Sequence, residues 1–405
     1  MAEYYDLLTD HKQRMPLGPA PEVSEVEHVT VRHEPGWYCA HPRWGVYKDF
    51  GGGEVIVGFK MARSAYKAIS DINHGGVVRP GYESRAVIVV QRSLDGGRTW
   101  PREHDVILYD EAQSDDEKRA FLYQTGAPRE QYDMFSPDSV FWFTHTKLWD
   151  EERMVCFGLR SVDRGRSWES VPTVIDPPPG KTGVRKKFSP VVRRADGKKL
   201  VTVFNDGTSP IYRSLDQGIT WEFVSRSAVD PTGAGSFTYE GLIELPSGEL
   251  QSYQTYFGQT RLDRDPNRNS LTMSSSVDDG YTWTTPVPIV GEGGACWNFP
   301  PTRKGREDVP YRSGYPVLLD DGRIVVVWAR RMAPFGVGGT LSTDGGRTWS
   351  EEFIIRADDT GSWDHGYAIG GQAEDGRVYI TYYYNEPDKP YVESIRYIDS
   401  TFFRV

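Results

Sequence analysis

The pattern S-x-D-x-G-x-x-W first appears in this chain as SLDGGRTW at residues 93–100. Four further copies follow: SVDRGRSW at 161–168, SLDQGITW at 214–221, SVDDGYTW at 276–283 and STDGGRTW at 342–349. Successive copies begin 68, 53, 62 and 66 residues apart. Self-similarity at a period of this size is typical of radially repeated or stacked folds. The spacing fits one blade of four short strands for each copy.

Three positions of the motif have a physical role in a tight turn between two strands. The Asp side chain accepts backbone N–H bonds within the turn, and the Gly two positions later adopts φ > 0 at little steric cost. The Trp is a large apolar anchor that we expect to pack between neighbouring blades. The motif therefore predicts five structural turns at blade edges, away from any ligand.

A second repeat lies between the motifs and consists of two apolar strands joined by a turn. Its six copies begin at Arg43, Asp138, Phe188, Tyr239, Ser313 and His365. Six copies predict an all-β fold, a six-bladed β-propeller. The stretch VEHVTVRH at 26–33 alternates like a strand, so we expect it to pair with the last blade and close the ring. Residues 26–405 then form one propeller domain, and residues 1–25 form an N-terminal extension.

Composition disfavours several classes of function. The net charge of −10 argues against a broad nucleic-acid-binding surface. No apolar run approaches the ~18 residues that a membrane span needs. The N-terminal residues MAEYYDLLTDHK show no basic segment followed by an apolar core. We therefore expect a cytoplasmic protein as the sequence stands, or a secreted or periplasmic one if a signal has been trimmed.

The sequence gives no indication of a cofactor. Its three cysteines, Cys39, Cys156 and Cys296, are widely spaced and form no C-x-x-C arrangement, so neither a disulfide framework nor a zinc site is indicated. It contains no G-x-G-x-x-G fingerprint and no P-loop. We expect no metal ion and no nucleotide cofactor.

The repeated turns in a six-bladed chain resemble the Asp-box, or BNR, repeats of the sialidase (neuraminidase) superfamily. The resemblance covers roughly residues 26–405. It implies the propeller fold and a carbohydrate partner. The same propeller hosts hydrolases, trans-glycosidases, lyases and non-catalytic proteins, so the function has to be argued from the site.

Side chains at the starts of the six inner strands should converge near the propeller axis. They are His41, Arg43, Asp133, Ser136, Asp138, Arg185, Lys186, Lys187, Tyr239, Glu240, Arg312, Tyr315, His365 and Tyr367. Three of them resemble the sialidase pattern in position as well as type. Arg43 stands ten residues before Gly53, where sialidases have an arginine that binds the substrate carboxylate. Glu240 and Tyr367 stand where sialidases have their glutamate and their nucleophilic tyrosine.

The resemblance implies a glycoside hydrolase that acts on a sugar bearing a carboxylate. A carboxylate nucleophile would be repelled by such a substrate, whereas a phenol is neutral until a base takes its proton. Glu240 is the expected base for Tyr367, and Arg43 is expected to clamp the acid group through two parallel N–H bonds. The general acid is expected on the blade-one loop, where we prefer Asp71 to Glu83.

The sequence also departs from the sialidase pattern. It reads Arg43-Trp44-Gly45 in place of Arg-Ile-Pro, and Tyr256 occupies the neighbourhood of the second carboxylate-binding arginine. For the third arginine the chain offers only loose candidates: Arg312, Arg330 and Arg331. The expected substrate-binding residues are Arg43, His41, His74, Asp138, Lys187, Tyr256, Arg312 and His365.

Two further interpretations stay open. The first is a polysaccharide lyase, or another uronate- or rhamnoside-acting enzyme, in which a cation neutralises the substrate carboxylate and a His or Tyr is the base. His41, His74 and His365 supply candidates for that base. The second is a non-catalytic carbohydrate-binding propeller, in which exposed aromatic side chains stack on sugar rings.

Overall fold

The computed structural model describes residues 17–68, 71, 86–124, 126–185, 190–231, 233, 235–258, 269–289, 312–331, 334–358 and 362–405. Within these ranges nearly every regular element is a β-strand, and the strands form a six-bladed β-propeller, as the repeats predict. The sequence also predicts helices at 2–15 (AEYYDLLTDHKQRM) and 110–121 (DEAQSDDEKRAF), and the first of these lies outside the described residues.

The N-terminal strands and the first three blades have the following bounds. Strands β1 (Leu17–Gly18) and β2 (Ser24–Arg32) precede the first blade. Blade one contains β3 (Trp37–Ala40), β4 (Tyr47–Asp49), β5 (Val55–Arg63), β6 (Ala86–Ser93) and β7 (Val106–Asp110). Blade two contains β8 (Val140–Leu148), β9 (Arg153–Ser161) and β10 (Thr173–Ile175). Blade three contains β11 (Val192–Arg193), β12 (Leu200–Val203), β13 (Pro210–Ser214) and β14 (Glu222–Arg226).

The second half of the chain contains the remaining three blades. Blade four contains β15 (Gly235–Glu244), β16 (Leu250–Gly258), β17 (Asn269–Ser276) and β18 (Val287–Pro288). Blade five contains β19 (Arg312–Leu318), β20 (Ile324–Arg330), β21 (Gly336–Ser342) and β23 (Phe353–Arg356), and the short strand β22 (Trp349–Ser350) lies between β21 and β23 in the chain. Blade six contains β24 (Gly366–Gln372), β25 (Val378–Asn385) and β26 (Arg396–Arg404). Helix α1 (Asp115–Leu122) begins with a capping box between Ser114 and Glu117, within the stretch 110–121 that the sequence suggests as helical.

The N-terminal strand closes the ring. Strand β2 pairs antiparallel with β26 and completes blade six in the order β2-β26-β25-β24. This confirms the pairing expected for residues 26–33. Upstream, β1 pairs in parallel with β22, and the two form a separate two-stranded sheet. The division into an extension at 1–25 and a domain at 26–405 stays a prediction, because residues 1–16 lie outside the described part.

The five S-x-D-x-G-x-x-W turns share one hydrogen-bond pattern. In the first turn the Asp95 carboxylate accepts from the Thr99 amide at 2.8 Å and from the Thr99 hydroxyl at 2.7 Å. The Ser93 hydroxyl donates to Asp95 and accepts from the Gly97 amide at 2.8 Å. The corresponding aspartates of the other four turns are Asp163, Asp216, Asp278 and Asp344. The motif is therefore a self-contained hydrogen-bonded turn between two strands.

Each turn packs on the preceding blade through its glycine. A Cβ atom at Gly97 would lie 3.2 Å from Tyr379 and 3.4 Å from Phe402, both in blade six. A Cβ atom at Gly218 would lie 2.4 Å from Phe141 in blade two. The five turn glycines have φ between 78° and 88°, so each position requires a left-handed backbone, and at four of them a Cβ atom would also lie 3.2 Å or less from a neighbouring side chain. The turns thus hold neighbouring blades together.

Blade two differs from the sequence interpretation. Residues 138–157 were expected to form its inner strand and the next one, but β9 leads directly into the turn at 161–168 and is therefore the third strand of a blade. Strand β8 pairs with β9 and meets the turn glycine Gly218, as a second strand does elsewhere. The error arose because any two apolar strands joined by a polar turn give the same sequence pattern.

Apolar side chains fill the spaces between blades. One core cluster joins blades one and six through Val57, Val89, Tyr379 and Phe402, and another joins blades five and six. This is the packing expected when each blade buries its faces only against its neighbours. In the described part of the chain, no helix has the length and apolar character needed to cross a bilayer.

Candidate functional site

Three inner strands carry a β-bulge at the same place near the axis. The bulge residues are Tyr239 and Glu240 in β15, Ser313 and Gly314 in β19, and Tyr367 and Ala368 in β24. The first residue of each bulge has φ of 59°, 61° and 58°, respectively. His41, which precedes the short 3-10 helix Pro42–Trp44 in blade one, has φ of 57°. Positive φ is costly for these residue types, so its repetition marks a backbone geometry imposed by the fold.

Arg43 bonds to two of these bulges from blade one. Its Nη1 donates to the carbonyl oxygens of Ser313 at 2.7 Å and Gly314 at 3.2 Å. Its Nη2 donates to the carbonyl oxygens of Glu240 at 3.1 Å and Tyr239 at 3.3 Å. Burial lowers the pKa of Arg43 to about 10, so the guanidinium stays charged at neutral pH. The predicted role of Arg43 as a carboxylate clamp stays a prediction, because these contacts are with the main chain.

Tyr367 meets another phenol. Its hydroxyl lies 3.1 Å from the hydroxyl of Tyr239, and the two rings are edge to face at 5.3 Å between centroids. The His41 ring contacts Tyr367 edge-on at 4.9 Å and stacks on Trp44 at 4.3 Å. Tyr239 and Tyr367 are 5% and 7% exposed. The structure thus brings together Tyr367, His41 and Tyr239, three of the strand-head residues that were expected to converge.

Glu240 is fully buried beside this pair and contacts blade three. Its Oε1 accepts from Asn205 Nδ2 at 2.7 Å and from the Ser209 hydroxyl at 3.3 Å. The positive charge of Arg43 acts on Glu240 and on both tyrosines. Glu240 therefore belongs to the same cluster, but its role as the base for Tyr367 stays a prediction.

A buried polar network holds a second arginine next to Tyr367. The Arg331 guanidinium lies 5.3 Å from the centre of the Tyr367 ring, and its Nη2 donates to the Tyr383 hydroxyl at 2.8 Å. Tyr383 in turn donates to Asp364 at 2.7 Å, and Arg396 Nε donates to the same carboxylate at 2.9 Å. Burial is the main reason that the pKa of Tyr383 lies well above its usual value, so this phenol stays neutral.

His365 lies within the protein rather than at a surface. Its Nδ1 lies 3.0 Å from the Ser362 carbonyl oxygen and its Nε2 lies 3.0 Å from the Gly336 carbonyl oxygen. Burial and the charge of Arg331 lower the pKa of His365 to about 4, so the ring is neutral at pH 7. A neutral ring donates to one of these carbonyls at a time. The predicted substrate-binding role of His365 stays a prediction.

Several predicted site residues lie partly or wholly outside the described region. His74 and Lys187 fall outside it, and only the backbone of Arg312 is described, at the start of β19. Asp71 caps a short turn, accepting from the amides of Lys67 at 2.9 Å and Ala68 at 3.0 Å. The proposed roles of these residues stay predictions.

The structure places one predicted binding residue, Asp138, away from the tyrosine pair. The Asp138 carboxylate accepts a hydrogen bond from Arg164 Nε, in the blade-two turn, at 2.6 Å. Arg164 also forms an ion pair with Glu54, which lies next to the hairpin that follows the inner strand of blade one. Asp138 therefore lies at the opposite end of the propeller from the bulges, because β8 is a second strand and runs in the other direction. Tyr256 is buried and donates to Asp230 at 2.9 Å.

The sequence predicts only part of this site. Tyr239 was placed among the strand heads only, Arg331 was a loose candidate, and Asp364 and Tyr383 were overlooked. A signal for Asp364 was present, since an acidic residue three positions before the expected nucleophile, in WDHGY, requires a partner if it is buried. No comparable signal marks Tyr383 within the run YYY at 382–384.

Comparison with known proteins supports the fold. No protein-family model and no curated protein matches this chain. A solved structure of a protein of unknown function from Dyadobacter fermentans is similar at a TM-score of 0.66 and 19% identity, covering 95% of this chain and 100% of that one. A Hadza microbial sialidase is similar at a TM-score of 0.56 and 18% identity, covering 92% of this chain and 67% of that one.

A third similar structure is an α-L-arabinanase from Penicillium chrysogenum bound to arabinobiose. Its TM-score is 0.56 at 15% identity, and the similarity covers 94% of this chain and 98% of that one. At such identities the likeness concerns the fold alone. The chain is thus a six-bladed β-propeller of the architecture that sialidases and an arabinanase share.

Proposed function

We propose that this protein is a glycoside hydrolase that acts on a carboxylate-bearing sugar with Tyr367 as its nucleophile. The observation that carries the proposal is the surroundings of the Tyr367 hydroxyl. It lies 3.1 Å from a second phenol, and the Arg331 guanidinium lies 5.3 Å from the centre of its ring. A buried phenol next to cations is easier to ionise than one in an apolar pocket, which is what a tyrosine nucleophile requires.

The chemistry follows from these groups. The Tyr367 oxygen bonds to the anomeric carbon while the glycosidic C–O bond breaks, and a base near the strand head of blade four takes the Tyr367 proton. The leaving oxygen receives a proton from the general acid, for which Asp71 stays the expected residue. Arg331 and Arg43 supply positive charge for the substrate carboxylate and for the phenolate.

The comparisons are compatible with glycoside chemistry. Structures with this propeller fold include sialidases and an arabinanase. A shared fold does not identify a reaction. The similarity therefore supports a carbohydrate substrate, whereas the bond that is cleaved has to be inferred from the residues of the site.

One observation favours a second candidate, a polysaccharide lyase. The residue whose hydroxyl meets Tyr367 is a phenol and not a carboxylate. In a lyase, one phenolate would remove the proton next to the uronate carboxylate, and the other phenol would protonate the leaving oxygen as the C–O bond breaks. A cation on the carboxylate would acidify that C–H bond.

The two reactions differ in their products. We would incubate the wild type with a panel of aryl glycosides and acidic oligosaccharides, and score both reducing sugar and an unsaturated product that absorbs in the near ultraviolet. The hydrolase predicts reducing sugar without new absorbance, and the lyase predicts the absorbance. Tyr367→Phe should lose the activity. Tyr379→Phe, which removes a buried phenol that contacts Ser400 far from the site, should retain it.

Two results would contradict the proposal. Sugar binding without any product would favour the non-catalytic propeller. Equal rates on a neutral sugar and on its acidic analogue would contradict the proposal that the enzyme recognises the carboxylate of its substrate.

A further inference from the structure

The bulges of blades four and six place Tyr239 and Tyr367 at equivalent positions. In β15, Thr238 pairs with Thr255, and the next paired residue is Gly241, which lies opposite Tyr253. Residues 239 and 240 therefore form the bulge. In β24 the pairing passes from Gly366 opposite Tyr383 to Ile369 opposite Thr381, so the bulge consists of residues 367 and 368. By position and by backbone conformation, the counterpart of Tyr367 in blade four is Tyr239, and the counterpart of Ala368 is Glu240.

The side chains of the blade-four bulge point to different neighbours. Tyr239 meets Tyr367 at 3.1 Å between hydroxyl oxygens. Glu240 instead accepts hydrogen bonds from Asn205 and Ser209 of blade three. Successive residues of an extended strand point to opposite sides, and the bulge decides which of the two faces blade six.

Resting on the proposed function, we infer that Tyr239, rather than Glu240, is the residue that exchanges a proton with Tyr367. The two phenols share one ionisation, so that together they hold a single hydroxyl proton in the active form. Glu240 is a positioning residue, which anchors the bulge to blade three and so sets the direction of the Tyr239 side chain.

The charged and titratable groups around the pair favour the loss of one proton. Arg43 acts on both phenols from blade one, and Arg331 lies against the Tyr367 ring from the end of β20. His41 contacts the Tyr367 ring, Tyr383 lies 5.8 Å from it between centroids, and Glu240 adjoins Tyr239 in the chain. Asp364, the other buried carboxylate of the site, is paired with Arg396 at 2.9 Å, so Arg43 and Arg331 together face the one remaining negative charge, that of Glu240. A shared hydrogen bond also stabilises the remaining phenolate.

The tyrosine pair holds the same number of protons at the start and at the end of one turnover. Tyr239 begins as the phenolate and takes the Tyr367 proton as the Tyr367 oxygen bonds to the anomeric carbon. The glycosidic C–O bond breaks, and the general acid protonates the leaving oxygen. Water then attacks the anomeric carbon and gives its proton to the conjugate base of that acid. Tyr367 leaves as a phenolate hydrogen-bonded by Tyr239, which restores one proton on the pair.

The first test compares kinetics of conservative variants, with a substrate cleaved in the assay above. Tyr239→Phe should lower kcat/KM by about 10²- to 10³-fold, as loss of a proton-transfer group does, and should move the pH dependence of the remaining activity. Glu240→Gln retains an oxygen that Asn205 and Ser209 can bond, so it should cost only a few-fold and keep the wild-type pH dependence. Tyr253→Phe, at a buried blade-four phenol bonded to Gln251, controls for loss of a hydroxyl from the core.

The second test needs no substrate. Tyrosinate absorbance is titrated for the wild type, Tyr367→Phe, Tyr239→Phe and the double variant, with thermal melting to show that each is folded. We expect one tyrosinate that forms at lower pH than the others in the wild type, is shifted to higher pH in each single variant and is absent from the double variant.

The outcomes separate this inference from the proposed function. If no substrate is cleaved but the low-pH tyrosinate depends on both residues, the hydrolase proposal fails and the shared ionisation stands. If Glu240→Gln abolishes cleavage while Tyr239→Phe remains near wild type, the inference fails and the hydrolase with Glu240 as base stands. A tyrosinate titration unchanged by Tyr239→Phe also overturns the inference.

Discussion

Nη1 of Arg43 lies 2.7 Å from the carbonyl oxygen of Ser313, so an arginine of blade one is hydrogen-bonded to the main chain of blade five. The same guanidinium reaches blade four through the carbonyl oxygens of Tyr239 and Glu240. These contacts span the axis and join blades that are not neighbours in the ring. Arg43 therefore contributes to the structure of the site whether or not it also contacts a substrate.

Arg43→Ala is expected to destabilise the protein as well as the site. Four main-chain carbonyl groups lose their charged donor in a buried location, which should cost on the order of 3 kcal/mol of unfolding free energy. Arg102→Ala, at a guanidinium whose side chain is 62% exposed, should change stability by less than about 0.5 kcal/mol. Urea denaturation of both variants measures the difference. An Arg43→Ala protein as stable as the wild type would show that these bonds contribute little.

Gly218→Ala should destabilise the protein more than Gly180→Ala. Both glycines have nearly the same positive φ, 82° and 81°, so both variants carry the cost of about 1 kcal/mol for an alanine at positive φ. A Cβ at Gly218 would also lie 2.4 Å from Phe141, whereas nothing lies within 4 Å of one at Gly180. The contact should add about 1 to 3 kcal/mol, as overpacking does. Equal denaturation midpoints would contradict the packing of turns on the preceding blade.

His365 should make stability depend on pH in mildly acidic solution. Burial and the neighbouring Arg331 lower its pKa from the ordinary value of 6.5 to about 4 in the folded protein. Between these values the unfolded chain binds a proton that the folded protein does not, so stability falls as the pH drops from 6.5 towards 4. The loss from pH 7 to pH 5 should be about 2 kcal/mol. His365→Gln should show a smaller loss over this range, measured by urea denaturation at both pH values, and identical losses would contradict the assignment.

Tyr383→Phe should lower activity by removing one of the contacts that hold Arg331, which then depends on its hydrogen bonds to the His365 carbonyl oxygen. The variant removes the acceptor for Arg331 Nη2 and the donor to Asp364 while it keeps the ring. We expect kcat to fall by about 10-fold with a smaller change in KM, because Tyr383 acts on the site through another side chain. Tyr379→Phe is the matched control on the same strand, and its kcat should remain near wild type. If kcat of the two variants fell equally, Tyr383 would have only a general structural role.

The repeats made most of the architecture predictable. The motif at 93–100 and its four copies specify the turns, because the Ser, Asp and Gly bonds close within eight residues and need no distant partner. The strand at 26–33 was also predictable as the closing strand, because it alternates and comes before blade one. In blade two the sequence pattern led to the wrong strand: it predicted β8 as the inner strand, although β8 is the second strand of the blade. An apolar hairpin has the same sequence pattern wherever it lies in a blade.

The residues of the site were predictable in part. Tyr367 and Glu240 lie in one buried cluster with Arg43, and sequence context alone had grouped them. Context did not indicate that Tyr239 would meet Tyr367, because a bulge shifts side-chain alternation by one residue and leaves no periodic signal. The hydrogen bond from Arg331 to Tyr383 likewise joins residues 52 positions apart, and the one from Tyr383 to Asp364 joins residues 19 positions apart.

The sequence by itself determined the all-β repeat, the six blades, the structural turns and the strand that closes the ring. Each of these depends on local hydrogen bonding or on the alternation of apolar side chains, both of which are recorded along the chain. Only the tertiary structure decided which side chains face each other at the axis. Those contacts depend on bulge register and on guanidinium groups that bond main-chain oxygens of distant blades, and neither has a counterpart in the spacing of residues along the sequence.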